Sequence, residues 1–194
     1  MLRTVSYPGE LKDYIMIFDD VLDKETCSGI ISEYEKSSLW SVAGVGVENK
    51  VDSQTRNCDA LHISSAKVIE ENPDLRKTLD DKIFNAVSGC LNNYKQKFPA
   101  LFVTKDTGYE LLRYKTAGFY IEHIDHFEER QRAVTVSIIL NDNFEGGEFS
   151  FFNKEIVVPA KTGQAIMFPS NFMFPHGVMP VRFGKRYAIV TWFF

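Results

Sequence analysis

Short apolar and aromatic runs dominate the second half of the chain, and turn-forming residues separate them. Seven such runs follow Pro99: YELLRY, GFYIEHID, AVTVSIIL, GEFSFF, EIVVP, QAIMF and KRYAIVTWFF. Many short strands with regularly spaced turns are typical of a β-sandwich or barrel. The pattern therefore predicts a mainly β jelly roll, with helices packed on the outside of one sheet.

The first half of the chain shows helical periodicity in two segments. After Asp23, a candidate N-cap, one face of the first predicted helix carries Cys27, Ile30, Ile31 and Tyr34. A second helix is predicted from Pro73 to Lys97, with an apolar face formed by Leu75, Leu79, Ile83, Val87, Leu91 and Tyr94. The intervening residues 42–59 contain glycines and polar residues, which predicts a mobile loop or an irregular hairpin.

The chain has 194 residues and carries no repeat, low-complexity tract or linker. We therefore expect a single domain over residues 1–194. Residues 1–105 would supply the helices, the first strands and the mobile loop, and residues 106–194 would form the β core.

Charge and cysteine content limit the classes of partner and compartment. The net charge is −4 and no Lys/Arg stripe is present, so we expect no nucleic-acid partner. Three cysteines without a CxxC pair predict neither a disulfide framework nor a cysteine zinc site. The N-terminus lacks the apolar run of a signal peptide, and no apolar stretch approaches the ~20 residues of a membrane span. We expect a cytoplasmic protein that does not contact membranes.

The stretch GFYIEHIDHF places His123, Asp125 and His126 within four positions. On a strand, residues i and i+2 point to the same face, so His123 and Asp125 would converge. A third ligand would come from His62 or His176. Two histidines and one carboxylate with open positions are typical of non-haem Fe(II) oxygenases, although zinc would accept the same donors.

Ten residues after His176, the run GKRYAIVTWFF contains Arg186. On a strand, Arg186 would share a face with Ala188, Val190 and Trp192. A buried arginine needs an anionic partner, and its planar guanidinium suits a carboxylate. A metal with open positions beside a carboxylate receptor favours a 2-oxo acid as co-substrate.

The stretches LLRYKTAGFYIEHIDHF, RAVTVSIILNDNFEGGEFSFF, KTGQAIMFPSNFMFPHGVMPV and GKRYAIVTWFF occur in this order over residues 109–194. In these stretches the chain resembles the Fe(II)/2-oxoglutarate-dependent oxygenases, in particular the prolyl 4-hydroxylase-like branch. The resemblance implies a distorted, cupin-like double-stranded β-helix. It also implies three iron ligands and four contacts to 2-oxoglutarate: ligands His123, Asp125 and His176, and contacts Arg186, Tyr114, Thr135 and Trp192.

The resemblance further implies the reaction. O2 would oxidatively decarboxylate 2-oxoglutarate to succinate and CO2 while an unactivated C–H bond is hydroxylated, with ascorbate as a candidate reductant. Related halogenases lack the carboxylate ligand, so the presence of Asp125 favours hydroxylation. The expected substrate is a proline-containing peptide or protein, over which residues 42–59 would close. Candidate substrate contacts are Arg56, Asp59 and Arg132.

The sequence departs from the family at one position and leaves other functions open. Oxygen-sensing prolyl hydroxylases carry a second co-substrate tyrosine on the central strand, where this chain has Ile139, so Thr135 or Tyr114 would have to replace it. A free amino acid or another small molecule is an alternative substrate, whereas nucleobase demethylation is disfavoured because no basic patch is present. A non-catalytic, cupin-like metal-binding domain is a further alternative, against which Arg186 argues.

Overall fold

A computed structural model describes residues 8–46 and 48–194. Residues 1–7, on which the signal-peptide expectation depends, and Val47, within the predicted loop, lie outside the described part. A 3-10 helix, Leu11–Tyr14, precedes three α-helices: α1 (Lys24–Tyr34), α2 (Ala66–Ile69) and α3 (Pro73–Lys97). The strands are β1 (Met16–Phe18), β2 (Ser41–Val42), β3 (Arg56–Asn57), β4 (Asp59–His62), β5 (Glu110–Tyr114), β6 (Phe119–His123), β7 (Val134–Ile139), β8 (Glu145–Gly146), β9 (Phe149–Phe151), β10 (Ile156–Val158), β11 (Ala165–Pro169), β12 (His176–Val178), β13 (Val181–Phe183) and β14 (Arg186–Phe193).

The strands form two facing sheets and a small ribbon. The larger sheet has the order β1-β11-β7-β14-β5-β4-β2, and the smaller sheet has the order β10-β9-β12-β6-β3. Strands β13 and β8 pair separately. This arrangement confirms the predicted jelly roll of the double-stranded β-helix type, in which helices accompany a mainly β core. The pattern did not predict three short strands, β8, β12 and β13.

Helix α1 begins as its sequence predicts. The side chain of Asp23 accepts a hydrogen bond from the backbone N–H of Thr26 at 2.6 Å, which satisfies one donor of the first turn. Cys27, Ile30 and Tyr34 are fully buried on the inward face. The periodicity therefore identified both the start of this helix and the face that packs on the larger sheet.

Helix α3 has the predicted bounds but a different inward face at its start. Leu75, which the apolar pattern places on that face, is 42% exposed. Arg76 is buried instead and forms ion pairs with Glu33 of α1 and with Glu71 just before α3. These pairs join the beginning of α3 to α1. The prediction for Leu75 was wrong because this polar network turns Arg76, rather than Leu75, towards the interior.

Two hydrophobic cores lie on opposite faces of the larger sheet. The first packs α1 and α3 against one face, and the second fills the space between the two sheets. All eight residues of β14 are buried, and they alternate between the two cores. In the described part of the chain, no helix combines the length and apolarity that crossing a membrane requires.

The segment predicted as a mobile loop or irregular hairpin contains both extended and turn structure. Val45 and Lys50 form an antiparallel bridge, and Asn49 donates its backbone N–H to the carbonyl of Gly46. Strand β3 follows within the segment and pairs with the smaller sheet, and β4 begins at its last residue and pairs with the larger sheet. The irregular hairpin is therefore present, and closure over a substrate stays a prediction.

Candidate active site

A cavity of roughly 220 Å³ opens between the two sheets. Strands of both sheets contribute to its walls, and so does the segment that contains Ala43 and Gly44. Nine of the sequence-predicted site residues line it: His123, Asp125, His176, Arg186, Tyr114, Thr135, Trp192, Arg56 and Arg132. The fold thus brings together residues that are separated by as many as 136 positions.

Two histidines face each other across adjacent strands of the smaller sheet. His123 ends β6 and His176 begins β12, and the two residues are direct partners in the antiparallel pairing. Their ring centroids are 4.4 Å apart. Gly177 follows the second histidine, and a Cβ at that glycine would lie 2.8 Å from the carbonyl oxygen of Tyr120, so the close approach of these strands requires glycine.

Backbone carbonyls fix the orientation of both imidazoles. The Nδ1 of His123 lies 2.9 Å from the carbonyl oxygen of Ile121, and the Nδ1 of His176 lies 3.0 Å from that of Phe174. Because a carbonyl can only accept, each Nδ1 carries the proton in the neutral imidazole. Each Nε2 then carries a free lone pair and points towards the other ligands, as metal binding requires.

Asp125 completes the cluster from a loop rather than from a strand. The strand β6 ends at His123, and the backbone N–H of Asp125 donates to the carbonyl of Ser170 at 3.2 Å. Its two carboxylate oxygens lie 3.4 Å from Nε2 of His123 and 3.3 Å from Nε2 of His176. The alternation rule therefore predicted the convergence of the ligands but not the loop that produces it.

A chain of hydroxyl groups holds the carboxylate of Asp125. The hydroxyl of Thr135 donates to Oδ2 of Asp125 at 2.8 Å, and it lies 2.8 Å from the hydroxyl of Ser170. Since the single proton of Thr135 is given to the carboxylate, Ser170 must be the donor in the second bond. All three residues are buried. The chain directs one carboxylate oxygen away from solvent and leaves the other to face the cavity.

The electrostatics of the cluster favour deprotonated ligands. Burial alone would raise the pKa of Asp125, but His176 and His123 hold it well below its usual value. Burial, together with the nearby His176, lowers the pKa of His123. An ionised Asp125 and a neutral His123 are the protonation states in which these two residues bind a divalent cation.

The donor set fits the iron that the resemblance implies. His123, Asp125 and His176 offer one ligand atom each, and these atoms lie within 4.8 Å of one another. The other two histidines do not join the cluster. The Nδ1 of His126 lies 2.9 Å from the carbonyl oxygen of Arg132, and the Nδ1 of His62 lies 3.2 Å from that of Tyr109.

Arg186 begins β14 inside the cavity wall and is only 1% exposed. Its guanidinium carbon lies 5.2 Å from the ring centroid of Tyr114, its partner on β5. Within the described residues it forms no ion pair, and its Nε has no hydrogen-bond partner. Burial lowers the pKa of this arginine, because no anion offsets the loss of water. An unpaired, buried guanidinium in a cavity fits the distal carboxylate of 2-oxoglutarate.

A glycine pair makes room for this arginine. Gly146 and Gly147 have φ values of +76° and +67°, a backbone conformation that favours glycine. A Cβ at Gly147 would lie 3.0 Å from Cδ of Arg186. The turn therefore needs glycine both for its backbone conformation and for the space that the arginine occupies.

One of the two residues expected to replace the missing co-substrate tyrosine, Thr135, uses its hydroxyl to bind a metal ligand instead. Thr135 lines the cavity, but it donates to Asp125. Ile139 is buried beside Ala188 and contributes no polar group. Tyr114 is buried next to Arg186 and lines the cavity, so its phenol is the remaining candidate for the second hydrogen bond to the distal carboxylate of 2-oxoglutarate.

Two further arginines flank the histidine–aspartate cluster. Arg56 lies 4.7 Å from the ring centroid of Tyr120, and that ring stacks on His123 at 3.5 Å. Arg132 lies 3.6 Å from the ring centroid of Trp192. Both candidate substrate contacts therefore reach the cavity.

The remaining candidate contact does not line the cavity. Asp59 lies on the outer face of β4, where its carboxylate pairs with Arg113 at 2.9 Å and with Lys115 at 2.9 Å. Ala60 and His62 of the same strand line the cavity instead. The structure thus assigns Asp59 to an ion-pair network, because strand alternation turns it away from the site.

Two contributors to the site were not singled out in the sequence. Ser170 binds the backbone of the Asp125 loop and the hydroxyl of Thr135, and Tyr120 separates Arg56 from His123. Tyr120 lies three positions before His123, so simple alternation would place it on the opposite face of β6, although both residues line the cavity beside an irregularity in the β6–β12 pairing. Ser170 follows a proline at the end of an apolar run and gives no signal of its role.

Comparison with known proteins supports the same interpretation. The family model described as the 2OG-Fe(II) oxygenase superfamily matches residues 109–194. Human prolyl 3-hydroxylase 2 is 39% identical over 67 residues, which is 32% of this chain but only 10% of that protein. A PKHD-type hydroxylase of Alteromonas mediterranea is 24% identical over 189 residues, covering 92% of this chain and 77% of the relative.

A solved structure shows the same fold. A prolyl hydroxylase of Trichoplax adhaerens, in complex with a peptide fragment of a hypoxia-inducible-factor oxygen degradation domain, superposes with a TM-score of 0.79 at 20% identity. The match covers 93% of this chain and 83% of the other. The similarity therefore extends to the N-terminal helices and first strands, beyond the segment that the family model matches.

Proposed function

We propose that this chain is a 2-oxoglutarate-dependent dioxygenase that hydroxylates prolyl residues of a peptide or protein at C4 of the ring, since the 2OG-Fe(II) oxygenase superfamily model matches residues 109–194. The observation that carries the proposal is the combination of the His123, Asp125 and His176 cluster with the unpaired Arg186 in one cavity. A peptide substrate is supported by the Trichoplax enzyme, whose structure contains a peptide.

Each residue of the site has a proposed task. His123, Asp125 and His176 hold the iron, with their Nδ1–H and Oδ2 groups fixed by the protein. Arg186 binds the distal carboxylate of 2-oxoglutarate, and the phenol of Tyr114 lies where it can add a second hydrogen bond.

When bound, iron and 2-oxoglutarate supply the oxidising chemistry, in which O2 is consumed, succinate and CO2 are released and one oxygen atom enters the substrate C–H bond. The chain positions that C–H and excludes water. The aromatic wall that includes Phe149 and Trp192 provides the apolar surroundings for both tasks. Closure of residues 42–59 over the substrate is part of the proposal, since Ala43 and Gly44 already form one wall.

Hydroxylation is tested directly by mass spectrometry. The protein is incubated with Fe(II), 2-oxoglutarate and O2, with and without ascorbate, and with proline-containing peptides or free amino acids. We expect succinate release coupled to the gain of one oxygen atom on a peptidyl proline, and amino-acid analysis then separates 4-hydroxyproline from 3-hydroxyproline. The Asp125→Ala variant serves as the inactive control.

The alternatives give different results in the same assay. Hydroxylation of a free amino acid but not of peptides would replace the proposal with a small-molecule hydroxylase. Exclusive formation of 3-hydroxyproline would retain the peptide substrate but overturn the position of attack. Absence of succinate with every substrate pool would contradict the enzymatic function.

A further inference from the structure

The cavity carries an excess of positive charge on a protein that is negative overall. Among the described residues that line it, four are arginines and two are carboxylates, an excess of two positive charges. The arginines are Arg56, Arg130, Arg132 and Arg186, and the carboxylates are Asp125 and Glu110. The whole chain has a net charge of −4. The excess is therefore local to the site.

The ligands of the proposed function do not remove this excess. Fe(II) contributes two positive charges and the 2-oxoglutarate dianion contributes two negative charges, so their sum is zero. Among the four cavity arginines, Arg186 is assigned to the distal carboxylate of 2-oxoglutarate. The other cavity arginines therefore remain without an anion after both ligands bind.

Arg56 is the more deeply buried of the two arginines beside the ligands. It is 9% exposed, and its Nε and one terminal nitrogen donate to Sγ of Cys58 at 3.3 Å and to the carbonyl of Gly44 at 3.0 Å. Its guanidinium packs on Tyr120, which stacks on His123. Within the described residues it pairs with no carboxylate, although a buried guanidinium is strongly stabilised by one.

Arg132 lies beside the third of the metal ligands, Asp125. Its guanidinium packs on Trp192 at 3.6 Å from the ring centroid, and one terminal nitrogen lies 3.4 Å from the backbone carbonyl of Asp125. The Nε is buried without a hydrogen-bond partner, and no described carboxylate pairs with the group. Both guanidinium groups thus pack on aromatic rings, one on the Tyr120 ring that stacks on His123 and the other on Trp192 next to Asp125.

We propose that the substrate peptide carries an acidic side chain next to the hydroxylated proline, and that Arg56 and Arg132 bind its carboxylate. The proposal rests on the proposed function, because it assigns the proline to the iron. A carboxylate at this point would neutralise the excess charge and supply an ionised acceptor, which neither guanidinium group has among the described residues. The aromatic supports also fix the two arginines in advance, so little side-chain entropy is lost on binding.

Peptide binding tests the proposal without depending on turnover. Protein loaded with Zn(II) and 2-oxoglutarate, which does not hydroxylate, is titrated with fluorescent proline peptides that differ only in glutamate or glutamine beside the proline. Hydrogen bonds to charged groups predict about tenfold to hundredfold tighter binding of the glutamate peptide. Raising the salt concentration should reduce this preference, because part of it is Coulombic.

Single substitutions identify the residues responsible. Arg56→Gln and Arg132→Gln should each reduce the preference for the glutamate peptide while leaving the 2-oxoglutarate affinity within about twofold. The matched control is Arg113→Gln, which removes an arginine on the outer face of β5, where Arg113 pairs with Glu35 and Asp59. This control should retain the full preference.

The outcomes separate this proposal from the proposed function. Equal affinity of the wild-type protein for the two peptides would overturn carboxylate recognition, even if both peptides are hydroxylated and the proposed function stands. Preference for glutamate without any hydroxylation under Fe(II) would support carboxylate recognition and count against prolyl hydroxylation. A preference that persists in both arginine variants would overturn the assignment of these residues.

Discussion

Replacing Arg186 by methionine tests the co-substrate site most directly. The side chain keeps a similar length but loses the charge that lies unpaired in the cavity. Removing one partner of a desolvated charge pair costs about 2–5 kcal/mol. The Kd for 2-oxoglutarate should therefore rise at least about thirtyfold. Without ligand, the variant should be at least as stable as the wild type, because the lost charge had no partner.

The assay is thermal unfolding of the Zn(II)-loaded protein with and without 2-oxoglutarate. At about one hundred times Kd, a ligand specific for the folded state adds about 2.7 kcal/mol, whereas a thirtyfold weaker ligand adds less than about 0.9 kcal/mol. For a chain of this size, 1 kcal/mol corresponds to about 2–4 °C in Tm. The ligand-induced rise in Tm should fall from about 5–11 °C to less than about 4 °C.

A matched variant, Arg113→Lys, controls for a general effect of losing an arginine. Its guanidinium lies on the opposite face of β5 and pairs with Glu35. The ligand-induced rise in Tm should be unchanged in this control. If Arg186→Met kept the full rise, Arg186 would not be the carboxylate receptor and the reasoning would be wrong.

Further substitutions probe the metal site and the helical layer. Thr135→Val should weaken Zn(II) binding about tenfold to a hundredfold by calorimetry, because Asp125 loses its hydroxyl donor, whereas Thr135→Ser should restore the affinity. Asp125→Ala should abolish turnover, and full activity of that variant would contradict the ligand assignment. Arg76→Leu should destabilise the fold by up to about 3–5 kcal/mol in urea unfolding, because the buried carboxylate of Glu33 then keeps only the largely exposed Lys36 and the amide of Asn72 as partners. Hydrogen bonds from Ser37 and Arg76 lower the pKa of Glu71 to about 2, so the stability it contributes should be present above its unfolded pKa of 4.5 and be lost as the pH falls towards 2. An acid limb of the stability curve that is unchanged in Arg76→Leu would refute this coupling.

Local patterns in the sequence predicted the elements well. The N-cap at Asp23, the bounds of α3 and the strand that carries Arg186 depend on residues a few positions apart, and the structure has all three. The metal cluster was also predictable, since a histidine and a carboxylate two residues apart need only one remote partner. These features follow from side-chain periodicity and donor chemistry.

Long-range pairing explains what the sequence could not reveal. Strand register decides that Asp59 faces outward, and no local property of the aspartate distinguishes it from an inward residue. The hydroxyl of Thr135 finds its carboxylate through a loop held by Ser170, which lies 35 positions away. Leu75 was misassigned because the inward Arg76 is stabilised by carboxylates from other segments. Each of these features depends on contacts with a distant part of the fold.

The placement of the three metal ligands gives the cation a second role as a cross-link. His123 and His176 belong to the smaller sheet, whereas Asp125 is tied by Thr135 to β7 of the larger sheet. A bound cation therefore adds a cross-link between the two sheets. Separating the sheets would require releasing the metal, so metal loading should slow the opening motions that expose the amides of β6 and β12 to exchange. Metal occupancy would then set the resistance of the protein to proteolysis as well as its capacity for oxidation.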